Sequence, residues 1–210
     1  MRFVPPARAA CLCLAGCLLA VSGCELKTPA DHQQNADVDS LYETDVPYVP
    51  TPDPVVERML EMADVSEGDV VYDLGSGDGR IVRMAVQTYD VKRAVGVELV
   101  PELVDKSRSY ARLAGITDRT TFHQADLFDI DLYDATVVTM YLYDSVIRKL
   151  KPRLLRQLDP GDRVVSHEYT GDDDRWPPDT TVVLGEHAIH LWTVPDDIPE
   201  WAAADSLASE

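Results

Sequence analysis

The chain has 210 residues, 45% of them apolar and 27% charged, which excludes a collagenous, coiled-coil or wholly disordered protein and leaves room for one domain with a short appendage. Its 37 acidic and 19 basic residues give a formal net charge of −18. So acidic a surface repels phosphate backbones, and no nucleic-acid partner is expected.

Residues 1–24 differ from the rest. Arg2 and Arg8 flank the start of an apolar run from Ala9 to Val21, too short to span a bilayer and of the length of a signal-peptide core. The run ends Val21-Ser22-Gly23-Cys24, which resembles the lipobox of bacterial lipoproteins, with Cys24 the lipidated residue and an ordinary signal peptide the alternative. All four cysteines (Cys11, Cys13, Cys17, Cys24) lie here, so the remaining body cannot form an internal disulfide. The expectation is an exported protein held at the membrane by a lipid anchor, or a cytoplasmic one if translation starts elsewhere. Residues 25–45 are polar and acidic without periodicity and are expected to be a flexible tether.

The body, residues 46–197, alternates strand and helix, and residues 198–210 read as a tail. Thr51-Pro52-Asp53-Pro54 opens a helix, with Asp53 the expected N-cap and Pro54 the first helical residue. Asp69 to Leu74 is a short apolar strand running into a glycine-rich turn, and Arg80 to Thr88 a helix with Ile81, Val82, Ala85 and Val86 on one face. Ala94–Val97 is the second strand, Pro101–Ala114 a helix closed by Gly115, and Thr120–Gln124 the third strand. Ala135–Met140 follows as a strand, then helical sequence from Asp144 to Leu158 that Pro152 is expected to break. Arg163–His167 is the fifth strand. Thr180–Leu184 and Ala188–Val194 form a closing hairpin across Gly185-Glu186-His187. The fold class expected is α/β, a Rossmann-like seven-stranded, mainly parallel sheet with helices on both faces and a C-terminal antiparallel hairpin.

The chemistry concentrates in Asp73-Leu74-Gly75-Ser76-Gly77-Asp78-Gly79-Arg80, at a strand end and opening a helix. A dinucleotide fingerprint would want a third small residue where this chain has Arg80, and Asp73 and Asp78 would repel a pyrophosphate. Acids beside such a loop suit a ligand with an amino group and a cationic centre, and S-adenosylmethionine is one. Glu98, at the end of the second strand, can accept from both ribose hydroxyls; Asp126, after the third, can accept from an adenine amino group. Open α/β sheets bind ligands beyond the carboxyl ends of their strands, where these three acids fall. Glu98→Gln is expected to be milder than Glu98→Ala.

The order D-x-G-x-G-x-G, acidic residue, Ala125-Asp126-Leu127 resembles class I S-adenosylmethionine-dependent methyltransferases. Tyr48-Val49-Pro50-Thr51-Pro52, Asp73 to Val82, Gly96-Val97-Glu98-Leu99, Arg163-Val164-Val165-Ser166 and Leu191-Trp192-Thr193-Val194 are similar to the small protein-lysine methyltransferases typified by the mitochondrial enzymes acting on the adenine nucleotide translocase and the ATP synthase c-subunit. The resemblance covers residues 46–194. It implies a cofactor site at Asp73, Gly75, Ser76, Gly77, Gly79, Glu98, Leu99, Asp126 and Leu127, with Thr51 in a Tyr48–Thr51 segment closing over the methionine end. It also implies a protein-lysine substrate; the enzyme is expected to be a monomer. Alternatives are a lipid-anchored binding protein that kept the fold without catalysis, or a methyltransferase of another substrate.

Tyr48, Tyr141 and Tyr143 can form an aromatic channel around a lysine amine by cation–π attraction. A base for that amine, if the protein supplies one, comes from His167, Glu168 or His123. His187 and His190 are three apart in a strand and point to opposite faces, so they are not expected to share a metal.

Overall fold

In a computed structural model of the chain, residues 48–203 are described. The expected signal peptide with Cys24 and the tether lie outside them. The elements are α1 (Asp53–Met62), β1 (Val70–Leu74), α2 (Arg80–Thr88), β2 (Arg93–Glu98), α3 (Pro101–Ala114), β3 (Thr120–Gln124), β4 (Val137–Met140), α4 (Asp144–Gln157), β5 (Arg163–His167), β6 (Thr180–Leu184), β7 (His187–Thr193) and α5 (Glu200–Ala203). Among the described residues, no helix is long and apolar enough to cross a membrane.

The sheet has seven strands in the order β3-β2-β1-β4-β5-β7-β6. The first five are parallel, and β7 runs antiparallel to both β5 and β6. β1 and β4 are buried along their whole length, as strands covered on both faces must be. The edge strands β3 and β6 are mostly exposed. One core packs α1, α2 and α3 on one face around Val56, Leu60 and Val82; the other packs α4 on the opposite face around Leu150, Leu154 and Trp192. Strand order reverses between β1 and β4, and open sheets of this kind bind ligands at that crevice.

Three local expectations change. Pro52, not Asp53, is the N-cap of α1, and among the described residues no side chain caps that end. The Pro52 carbonyl already accepts from Val55 and Val56 N–H at 2.9 and 3.0 Å, which places Asp53 and Pro54 inside the first turn. Pro152 does not break α4, which runs continuously from Asp144 to Gln157. A mid-helix proline costs about 3 kcal/mol, but fully buried Leu side chains contribute roughly 1.5–3 kcal/mol each, and Ile147, Leu150, Leu154 and Leu155 are all completely buried on this helix. The closing hairpin turns over Gly185-Glu186, so His187 belongs to β7 and pairs with Leu184. Packing also continues past residue 197: α5 buries Ala202, whose carbonyl accepts from Arg156 Nη1 at 2.6 Å.

Candidate functional site

β1 ends at Leu74 and α2 begins at Arg80, so the intervening loop must turn the chain sharply over the sheet edge. It does so through Gly75, Gly77 and Gly79, which have φ of +78°, +53° and +74°. Gly77 also meets a close approach: a Cβ there would lie 2.4 Å from the Tyr48 ring. The Gly75 and Ser76 amides both donate to the Val97 carbonyl at 2.9 Å, fastening the loop to the end of β2.

The acids gather around that loop. Glu98 Oε2 accepts from Gly77 N–H at 2.9 Å and Oε1 from Val100 N–H at 3.0 Å. A carboxylate has about four acceptor positions, so two remain for a ligand. Asp73 is buried beneath the loop, where β1 registers it against Gly96 and Thr139, and its carboxylate accepts from Thr139 Oγ1 at 2.8 Å. Burial, reinforced by the negative charges of Glu98 and Asp78, pushes its carboxyl from 3.8 up to about 7. Asp126 lies two residues beyond β3; its Oδ1 caps Phe128 N–H at 2.9 Å. Arg153 on α4 reaches across to the Leu127, Phe128 and Ile130 carbonyls and holds this turn in place. Leu99 is 57% exposed at the carboxyl end of β2, whereas Leu127 packs partly into the second core.

Arg80, read from the sequence only as an obstacle to dinucleotide binding, has a positive role. Its guanidinium forks onto Asp78 at 3.0 and 2.9 Å while Nη1 donates to the Thr51 carbonyl at 2.9 Å. Burial alone would raise the Asp78 carboxyl, but this bidentate pair holds it below its ordinary value. The pair ties the glycine loop to the Tyr48–Thr51 segment. Burial and the Asp78 charge push the Tyr48 phenol up to about 12, so it stays protonated. No local sequence signal announces this clasp, which spans 29 residues.

A second cluster lies at the carboxyl ends of β4 and β5. The Tyr141 ring centroid is 4.1 Å from His167 and 6.1 Å from Tyr169, and Tyr143 meets Tyr169 edge-on at 5.4 Å. Tyr169 is therefore the partner of the two β4-end tyrosines, whereas Tyr48 sits on the glycine loop. His167 is fully buried, and burial, only partly opposed by Glu168, lowers it from 6.5 to about 4. Its Nδ1 is 3.2 Å from Thr51 Oγ1 and its Nε2 is 3.0 Å from His187 Nδ1. Both ring nitrogens of His167 thus have close side-chain neighbours, and the imidazole links Thr51 and the Tyr141 ring to the start of β7. His123 sits on β3, four strand spacings from β5, or roughly 19 Å. His190 turns its Nε2 to the Glu168 carbonyl at 3.2 Å, apart from the His187 side-chain contacts.

The arrangement fits a cofactor with cationic groups and a diol. Three carboxylates crowd the loop, Glu98 retains acceptor capacity, and the Ser76 hydroxyl is buried with no hydrogen-bond partner among the described residues.

The same chain matches known proteins closely. The family model described as ANTKMT methyltransferase domain matches residues 73–180. A protein-lysine N-methyltransferase of Saccharolobus islandicus is 43% identical over 157 residues, covering 73% of this chain and 96% of that one. The adenine nucleotide translocase lysine N-methyltransferase of Mus musculus is 37% identical, and the match covers 70% of this chain but only 62% of the mouse protein. A crystal structure described as an RNA methyltransferase from Salinibacter ruber in complex with S-adenosyl-L-homocysteine is 55% identical, with a TM-score of 0.69 over 72% of this chain and 97% of that one.

Proposed function

The chain belongs to the ANTKMT methyltransferase family and is an S-adenosylmethionine-dependent methyltransferase, and from that premise we propose that its acceptor is a lysine amine of a protein. The observation that carries this reading is the pairing of that kinship with a chain of formal net charge −18, which favours a basic protein over RNA. The bound cofactor supplies an electrophilic methyl group, so the protein's task is alignment rather than covalent chemistry. Asp73, Gly75, Ser76, Gly77, Gly79, Glu98, Leu99, Asp126 and Leu127 hold it, with Glu98 on the ribose and Thr51 and Tyr48 closing the methionine end. Tyr141 and Tyr143 flank the acceptor, and Tyr169 supports both rings. The Tyr141 phenol is raised by burial and by its Tyr169, Glu168 and Tyr143 neighbours, so it orients an amine through its oxygen without deprotonating it. The acceptor's proton leaves to water.

Incubation of the full chain with radiolabelled S-adenosylmethionine and a lysine-rich protein, beside a parallel incubation with total RNA, tests the reading. Label is expected on lysine of the protein, identified by mass spectrometry. Label found in RNA alone would replace the proposed acceptor by that named for the Salinibacter relative.

Asp73 makes cofactor binding pH-dependent. A cationic ligand favours the ionised carboxylate, so below pH about 7 binding must release the Asp73 proton. Affinity for S-adenosylmethionine is expected to rise up to about tenfold between pH 6 and 8, a shift of one pKa unit being worth about 1.4 kcal/mol. In the cofactor-free protein the raised carboxyl acts oppositely: its stabilising contribution is complete below 3.8 and is lost as pH rises through about 7. Calorimetry in two buffers of different ionisation enthalpy reads the proton release directly. Equal affinity at both pH values, or a slope that survives Asp73→Asn, rules the assignment out.

A further inference from the structure

His167 ends β5, Glu168 follows it with φ +67°, and His187 opens β7. The antiparallel register, His167 opposite Ile189, brings the three side chains to one point. His167 Nε2 lies 3.0 Å from His187 Nδ1 and 3.3 Å from Glu168 Oε1, and His187 Nδ1 lies 3.0 Å from that same oxygen. Three potential ligand atoms thus form a nearly equilateral triangle.

With Glu168 ionised, hydrogen bonds cannot fill all three edges of this triangle. A ring nitrogen has one in-plane position, filled by either a proton or a lone pair, and an ionised carboxylate only accepts. With both nitrogens protonated, two N–H groups oppose each other; with one, the remaining nitrogen lone pair faces the Glu168 oxygen. With none, three lone pairs converge. With Glu168 ionised, every assignment leaves at least one edge that is not a hydrogen bond, whereas a cation between the three atoms uses all the lone pairs at once.

The dimensions select the ion. Tetrahedral zinc with bonds of about 2.0–2.1 Å spaces its ligand atoms roughly 3.3–3.4 Å apart, within a few tenths of an ångström of the edges observed. Two imidazoles and one carboxylate suit zinc, while magnesium and calcium prefer oxygen alone. Support for the ligands is already built. Thr51 Oγ1 can accept from His167 Nδ1–H, the tautomer that leaves Nε2 free for an ion. The His187 and Glu168 side chains are 37% and 28% exposed, which gives an ion a way in.

We propose that His167, Glu168 and His187 form a binding site for a divalent ion of the zinc class, with the fourth position open. An ion there would fasten the β5 end to the β7 start beside Tyr141. The inference rests on these ligand atoms and not on the identity of the methyl acceptor.

The test is calorimetric titration of the chelator-stripped full chain with Zn2+ alone, comparing wild type with His187→Ala, Glu168→Gln and His123→Ala. Other cysteines and histidines of the chain add their own sites, so the differences are what count. Wild type should bind one Zn2+ more than His187→Ala, and Glu168→Gln should weaken that site by roughly tenfold or more. His123→Ala, on the exposed side of β3, should match wild type. Binding of S-adenosylhomocysteine by each variant reports that it is folded. Equal Zn2+ stoichiometry and affinity in wild type and folded His187→Ala overturns the site. Should His187→Ala fail to fold, unchanged Zn2+ affinity in the near-isosteric Glu168→Gln overturns it equally.

Discussion

Glu98→Ala is expected to weaken cofactor affinity by at least two orders of magnitude and to destabilise the cofactor-free protein as well. The carboxylate joins the ligand side to the scaffold: its two oxygens accept from the Gly77 and Val100 amides, and their remaining lone pairs are left for the ribose hydroxyls. Hydrogen bonds to a charged group are worth about 1.5–3 kcal/mol each, and about 1.4 kcal/mol is tenfold in affinity. The structure also reverses one expectation read from the sequence. Glu98→Gln must place an amide NH2 against either the Gly77 or the Val100 N–H, donor against donor, so its loss should approach that of alanine. Glu102→Ala, in the exposed first turn of α3, is the control and should leave affinity unchanged. Titration of each variant with S-adenosylhomocysteine, with a thermal melt of the free protein, separates the two effects. Equal affinity in Glu98→Ala and Glu102→Ala would remove Glu98 from the site.

The second large effect concerns Gly79→Ala, expected to destabilise the domain by about 2–5 kcal/mol and to lower Tm on the order of 10 °C. Two costs add. The residue has φ +74°, which an L side chain adopts at about 1–2 kcal/mol, and the new methyl would lie 2.6 Å from the Phe122 ring and 3.0 Å from Ser107 Cβ. Phe122 and Ser107 are themselves buried, so neither can swing away. Overpacking of this kind typically costs about 1–3 kcal/mol. Gly115→Ala isolates the backbone cost: Gly115 closes α3 at φ +68°, with none of the described residues within 4 Å of a Cβ. Circular-dichroism melts should therefore rank Gly115→Ala clearly above Gly79→Ala. Identical melts would mean that the Phe122 contact is not tight in solution.

Much of the architecture was legible residue by residue. The ranges of α2, α3, β3 and β5 coincide with those read from periodicity and punctuation: Gly115 closes α3, and the two strands are short β-branched stretches between turns, carrying Thr120-Thr121-Phe122 and Val164-Val165. The hairpin was legible in kind but shifted in register, since Gly185 alone supplies the left-handed turn that releases His187 into the strand. Pro152 misled because local backbone chemistry predicts a break, while the surrounding leucines are buried deeply enough to override it.

What the sequence determined by itself is therefore the alternation of strands and helices, the glycine loop, and the acids at strand ends, all encoded by near neighbours along the chain. Only the tertiary structure decided how those groups are used. It closed Arg80 onto Asp78 and the Thr51 carbonyl, turned both Glu98 oxygens onto backbone amides, and engaged both nitrogens of His167. It also gathered His167, Glu168 and His187, separated by 20 residues, through the β5–β7 register. The physical reason is one of range: hydrophobic periodicity fixes which face of an element is buried, but the meeting of two distant polar side chains depends on strand order and register, which no local pattern carries.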